Sequence, residues 1–165
     1  MTVTMGLIGL KLAQRARDGT SLEELLFRMR EMQAHSRLYC VLETIDCLIK
    51  GGRISRTRGW VGQTLGLLPI LTLQDGLLVA IQKVRNSEKG FEEVFRRLDD
   101  EIPEGMPVIG ASAHGLNPEM AMRASGEFRR RYSPVEMLDV EIGPAVGAHA
   151  GPGAWGIAYL GADSA

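Results

Sequence analysis

The sequence has few of the features that announce a chemistry. Among its 165 residues are only two cysteines, Cys40 and Cys47, spaced neither as a C-x-x-C redox pair nor as zinc ligands. They read as small, buried, reduced apolar residues, and no metal site is expected. No apolar run approaches the roughly 20 residues that span a bilayer. The opening Met-Thr-Val-Thr-Met-Gly lacks the basic start of a secretory signal, so a cytoplasmic protein is expected. The formal net charge is -1 and the pI is near 6.3, which leaves no general basic footprint for nucleic acid. A Walker loop, a G-x-S-x-G elbow and an H-E-x-x-H pair are all missing. Gly6-Leu7-Ile8-Gly9 is not a dinucleotide fingerprint, because no strand precedes it within this chain. With no nucleophile beside an obvious base, a binding role is favoured over an enzyme, and no cofactor is implied.

What is present is a globular composition, 45% hydrophobic and 24% charged, with 20 glycines. The length suits one domain or a little more. The most informative stretch is Leu48 to Ser55, Leu-Ile-Lys-Gly-Gly-Arg-Ile-Ser. Gly51 and Gly52 permit a sharp turn and close approach of backbone to a ligand or partner. Arg53 then presents a fork of donors to a carboxylate or phosphate, or simply caps a carbonyl. A second glycine-rich turn, Gly147-Ala148-His149-Ala150-Gly151-Pro152-Gly153, sets His149 in a similar place. Its imidazole can donate to a carboxylate or bond a backbone carbonyl. Together these turns suggest a site for an anionic group built on irregular backbone. His114, between a strand and a capped helix, suits either the helix start or a ligand. His35 follows a helix and suits its negative end. Arg53, Arg56, Arg58, Lys83 and Arg85 can gather at one end of a sheet, as docking to an acidic protein surface requires.

Periodicity supplies the elements. Met5, Ile8, Leu12 and Ala16 predict a helix over 5–17, stopped by Gly19. Ser21-Leu22-Glu23-Glu24 is a capping box, and Leu22, Leu25, Leu26, Met29 and Met32 form the stripe of a helix over 22–34. Strands are predicted over 38–43, Pro69–Leu73, Leu77–Lys83, Pro107–Ala113, Val135–Ile142 and Trp155–Leu160, with a hairpin across Gln74-Asp75-Gly76. Further helices are predicted over 44–50, 56–67, 87–99 and from Asn117-Pro118 to about Arg131. This order describes an α/β (α+β) fold: a two-layer mixed sheet with helices on one face.

Several of these segments, in this order and spacing, resemble the DegV family of fatty-acid-binding proteins, including the carriers of the FakB class. They are Leu42-Glu43-Thr44-Ile45-Asp46-Cys47-Leu48-Ile49-Lys50-Gly51-Gly52-Arg53-Ile54-Ser55, Pro69-Ile70-Leu71-Thr72-Leu73, Lys83-Val84-Arg85, Ile142-Gly143-Pro144 and His149-Ala150-Gly151-Pro152-Gly153. Leu68 departs from the family, which carries a lysine there. The resemblance implies a non-catalytic carrier that holds a long-chain fatty acid in a tunnel and presents its carboxylate to a fatty acid kinase. By carry-over, His149 and Arg53 hold the carboxylate beside Gly51, Gly52, Gly151 and Gly153, and Arg85 serves kinase docking. Candidate tunnel residues are Ile54, Val61, Leu65, Leu68 and Ile70. The resemblance also implies a domain division: 1–36 as a helical remnant of an N-terminal α/β domain, and 37–165 as the family's C-terminal lipid-binding domain. The alternative is a truncated interaction module without lipid, forming a homodimer through its two leading helices, whose apolar stripes would otherwise lie bare.

Overall fold

The computed structural model describes residues 2–52 and 66–162. In chain order they form α1 (Thr2–Arg17), α2 (Leu22–Ala34), β1 (Ser36–Val41), α3 (Asp46–Lys50), β2 (Leu68–Gln74), β3 (Leu77–Val84), α4 (Ser87–Glu101), β4 (Val108–His114), α5 (Pro118–Tyr132), β5 (Glu136–Glu141), α6 (Pro144–Ala150) and β6 (Trp155–Gly161). Side-chain caps fix three helix starts. The oxygens of Ser21, Asn86 and Asn117 accept from the amides of Glu24, Lys89 and Met120, each satisfying a donor that the first turn leaves free. The helix expected over 56–67 lies almost wholly outside the described residues.

The strands form one six-stranded sheet in the order β3-β2-β1-β6-β4-β5. Only β4 and β5 run parallel, joined across α5; the other neighbours are antiparallel. The β2–β3 hairpin turns at Asp75-Gly76, with φ of 50° and 75°. Positive φ at both central residues matches the right-handed twist of the strands. This is the expected mixed α/β sheet.

Both faces of the sheet are covered. On the first, Tyr39, Ile70, Val84, Ile157 and Tyr159 meet Phe91, Val94, Phe95 and Leu98 of α4 and Phe128 of α5. Trp155 joins this core and donates from Nε1 to Ser87 Oγ at 3.0 Å. The opposite face carries two smaller clusters. Leu7 of α1 sits with Leu38, Ile109, Ala111 and Ala158, while Leu42, Leu71 and Ala154 sit with Leu48 of α3. Lys11 Nζ reaches Glu136 across 2.6 Å and ties α1 to β5.

The faces of α1 and α2 differ from the periodic reading. Thr4 and Leu7 are the buried positions of α1, whereas Met5 is exposed. Of the α2 stripe only Met32 is fully buried, and Leu22 and Leu26 are exposed along with Phe27. These helices have more apolar residues than this sheet covers, so the stripe alone cannot say which ones are buried.

Candidate functional site

Small residues on the second face of the sheet leave room. Cys40, Ala113, Ala154 and Gly156 project little side chain, and a cavity of about 530 Å³ lies between them and helices α1, α3 and α6. Its walls are mostly apolar, with Leu38, Leu42, Leu48, Leu71 and Leu78 among them and Val3 and Leu77 also contributing. Burial pushes the Cys40 thiol up to about 11, so it faces the cavity as a neutral thiol. His114 and His149 are the two imidazoles in its lining.

His149 lies on α6, not in an irregular turn. Pro144 opens the helix at its first turn, Ala145, Val146, Ala148 and Ala150 sustain it, and Gly151 ends it with φ of 78°. The glycines around His149 suggested a loop, but alanine and N-terminal proline won locally. His149 is thereby held in the last turn of α6. Its Nδ1 is buried and has no hydrogen-bond partner among the described residues, a state that normally costs free energy.

Gly51 ends α3 directly against this ring. A Cβ at Gly51 would overlap His149 Nδ1, so glycine permits the close approach of α3 and α6. Gly52 lines the cavity. Gly151 lies against Cys47, with its would-be Cβ 3.3 Å from Cys47 Sγ, and Gly153 lies under Glu43. The structure thus brings Gly51 against His149 and sets His149 and Gly52 in the cavity wall, whereas Gly151 and Gly153 follow α6 outside the lining. Arg53, Ile54, Val61 and Leu65 lie outside the described residues, as do Arg56 and Arg58. Arg85 is exposed in the bend between β3 and α4.

Leu68 and Ile70 require a correction. Both point to the α4 side, Ile70 fully buried in that core and Leu68 against it; Leu71 is the cavity residue of β2. A fully buried strand is apolar on both faces, so alternation in Pro-Ile-Leu-Thr-Leu could not tell them apart. Sequence reasoning also missed Ala113 and Gly156, whose contribution is the absence of bulk. His114 had a signal, its position at a strand end. There its Nδ1 accepts from the Asn117 amide at 3.4 Å. No group of three or more metal-ligating side chains occurs among the described residues, and no described helix is long and apolar enough to cross a membrane.

Comparison with known proteins adds a family. A family model described as an uncharacterised protein of the DegV family matches residues 1–162. A DegV domain-containing protein of Clostridium acetobutylicum is 33% identical over 156 residues, covering 94% of this chain and 54% of that protein. The crystal structure of DegV from Bacillus subtilis, described as a fatty acid binding protein, is similar at a TM-score of 0.85 and 28% identity, covering 96% of this chain and 56% of that one. A DegV family protein from Eubacterium eligens, solved loaded with heptadecanoic acid, gives a TM-score of 0.80 at 25% identity, covering 95% and 56%. The chain therefore spans about half the length of the curated relatives it matches.

Proposed function

Since the chain belongs to the DegV family, we propose that it binds a long-chain fatty acid, as a carrier rather than an enzyme. The acyl chain occupies the cavity behind α3 and α6, and its carboxylate lies at His149. The observation that carries this reading is an apolar cavity of about 530 Å³ with a buried, unpartnered imidazole nitrogen in its wall. That volume falls within the roughly 300–1,000 Å³ of small-molecule sites, which pair apolar walls with a few polar anchors. About 14 methylenes at about 0.8 kcal/mol each offer on the order of 11 kcal/mol before the costs of binding. Arg53 belongs to the same proposal as a second carboxylate contact. Residues 1–36 serve as a helical unit whose α1 supplies one wall, and 37–165 as the lipid-binding domain. Native mass spectrometry of gently purified protein should find one acyl ligand; a protein free of lipid that also takes up none on titration would remove the carrier reading.

The carrier proposal extends to a partner. The bound carboxylate is presented to a fatty acid kinase in the cytoplasm, and Arg85, exposed beyond β3, serves as a docking cation. Arg85→Ala should weaken kinase docking without altering lipid uptake. Equal affinity of both forms for the kinase would reject this role.

A second reading is favoured by one observation. Leu22 and Phe27 of α2 are 72% and 54% exposed, and Met5 of α1 is 67% exposed. Exposed apolar groups of this kind mark interaction surfaces when they adjoin, so the chain would act as an interaction module that dimerises through α1 and α2. Sedimentation velocity decides: a dimer converted to monomer by Phe27→Glu supports it, and a monomeric parent protein rejects it.

A further inference from the structure

We propose that the acyl tail runs along the β1–β2 pair toward the β2–β3 hairpin, and that Leu78 sets the chain length the protein accepts. The inference rests on the carrier reading and deepens it. His149 fixes where the path begins. Gly51, which ends α3, lies against its ring, and the adjoining Ala150 packs with Leu42, Leu48, Leu71 and Ala154. This end of the cavity therefore lies beside Leu42, whose amide donates to Pro69 O of β2 at 3.3 Å.

Two directions lead away from that point, and their lengths differ. Across the sheet, Cys40 pairs with Gly156 and Gly156 with Ala113. Directly paired residues share a face, so these three form a floor only two strand spacings wide, about 10 Å. Ile142, packed against Gly115 just past β4, walls that side. Along the strands the path is longer. From Pro69, β2 runs six residues to the turn at Asp75, about 20 Å at about 3.3 Å each. That is the reach of an extended palmitate. The lining follows this direction through Cys40 and Leu71 to Leu38 and Leu78, and on to Leu77 and Gly76. A long straight chain fits along the strands and not across them.

The far end is shaped by side chains from three elements. Leu78 pairs with Leu73 in the hairpin and packs with the Leu71 cluster, which places it on the cavity face. Val3 of α1 and Leu38 of β1 line the cavity from the neighbouring cluster. There Leu7 fills the space over Ala111 and Ala158, so the tail cannot turn toward β4 at this end. Leu77, 40% exposed, stands where the cavity meets the surface. Leu78 is thus the last inward-facing lining side chain before the turn, and its size decides how many methylenes fit before the tail meets water.

The test titrates the full chain and its Leu78→Phe and Leu48→Phe variants with laurate and palmitate, which share a head and differ in tail length. Leu78→Phe takes space from the far end and displaces about two methylenes of palmitate. Palmitate should weaken roughly tenfold while laurate keeps its affinity. Leu48→Phe narrows the His149 end, which both chains occupy, and should weaken both alike. An equal change in the palmitate-to-laurate ratio in the two variants would overturn the inference. Should a variant fail to fold, the parent protein answers by NMR. A stearate with a nitroxide near its methyl end should broaden the methyl signals of Leu78 and Val3, and one with the nitroxide near its carboxyl should broaden the ring signals of His149. Broadening of Ile142 and Val146 by the methyl-end nitroxide, with Leu78 sharp, would overturn the assignment. A parent protein that binds neither fatty acid would overturn the carrier reading and this inference with it; one that binds palmitate, with a ratio that Leu78→Phe leaves untouched, would overturn this inference alone.

Discussion

At the scale of single residues, two glycines near His149 do different work. Gly51 has φ of -78°, which any residue adopts, and its constraint is space, since an alanine Cβ would overlap the His149 ring. That ring is a movable side chain, so Gly51→Ala should displace the ligand contact rather than the fold. Palmitate affinity should fall about tenfold while stability changes by less than about 1 kcal/mol. Gly151 is the converse. Its φ of 78° lies where a Cβ is strained, and Gly151→Ala should cost about 1–3 kcal/mol in a thermal or urea melt. Calorimetric titration beside melting curves separates the two; a Gly51→Ala protein with unchanged affinity would show that the ring is not held by this close approach.

At the scale of elements, β4 offers an internal comparison. Ala111 and Ala113 point to the same face, but Ala111 is enclosed with Leu7 and Leu38, whereas Ala113 lines the cavity. Ala111→Leu should therefore cost about 1–3 kcal/mol by overfilling. Ala113→Leu should be tolerated better and should instead weaken acyl binding. Equal stability losses in urea melts would mean that the space beside Ala113 does not accept a side chain. The elements themselves were largely legible. Asn117-Pro118 marked the start of α5, Ser21 to Glu24 marked that of α2, and Asp75-Gly76 gave the hairpin. What was not legible has common physical causes. Glycines at 147 and 151 disguised α6, although its first residue is proline. Continuous apolarity in β2 concealed that Leu71, not Ile70, faces the cavity. For the site, the glycines and His149 could be read because special backbone needs special residues, while Ala113 and Gly156 contribute only emptiness, which leaves no mark in a sequence.

At the scale of the whole molecule, ionisation sets the limits of stability. Hydrogen bonds from Arg123, Arg96 and Arg130 hold Glu88, Glu93 and Glu127 below the usual carboxylate range, Glu127 at about 2. Burial would raise Asp139, but the hydrogen bonds from Ser112, Ser125 and Arg129 outweigh it and lower it. Groups depressed on folding stabilise above their unfolded pKa, near 4, and that contribution is lost as pH falls through the folded value. Tyr39, Tyr132 and Tyr159 are shifted the other way, first by burial and then by Glu101 or Asp99. Their contribution is complete below about pH 10 and is lost as pH rises beyond it. The melting temperature should form a plateau between about pH 5 and pH 9, with an acid limb that salt makes shallower because its ion pairs are exposed. Continued gain in stability down to pH 3 would contradict this assignment.

The central claim is that the cavity behind α3 and α6 receives an acyl chain, and Trp155, which borders the cavity but packs its ring in the α4-side core, reports on it across the thickness of the sheet. The chain has two tryptophans, so Trp60→Phe leaves Trp155 as the sole emitter. A mid-chain brominated fatty acid should quench its fluorescence saturably at one ligand per chain, and unbrominated palmitate should restore the signal by competition. Bound fatty acid detected by mass spectrometry with Trp155 emission unchanged would place the lipid elsewhere and contradict the account.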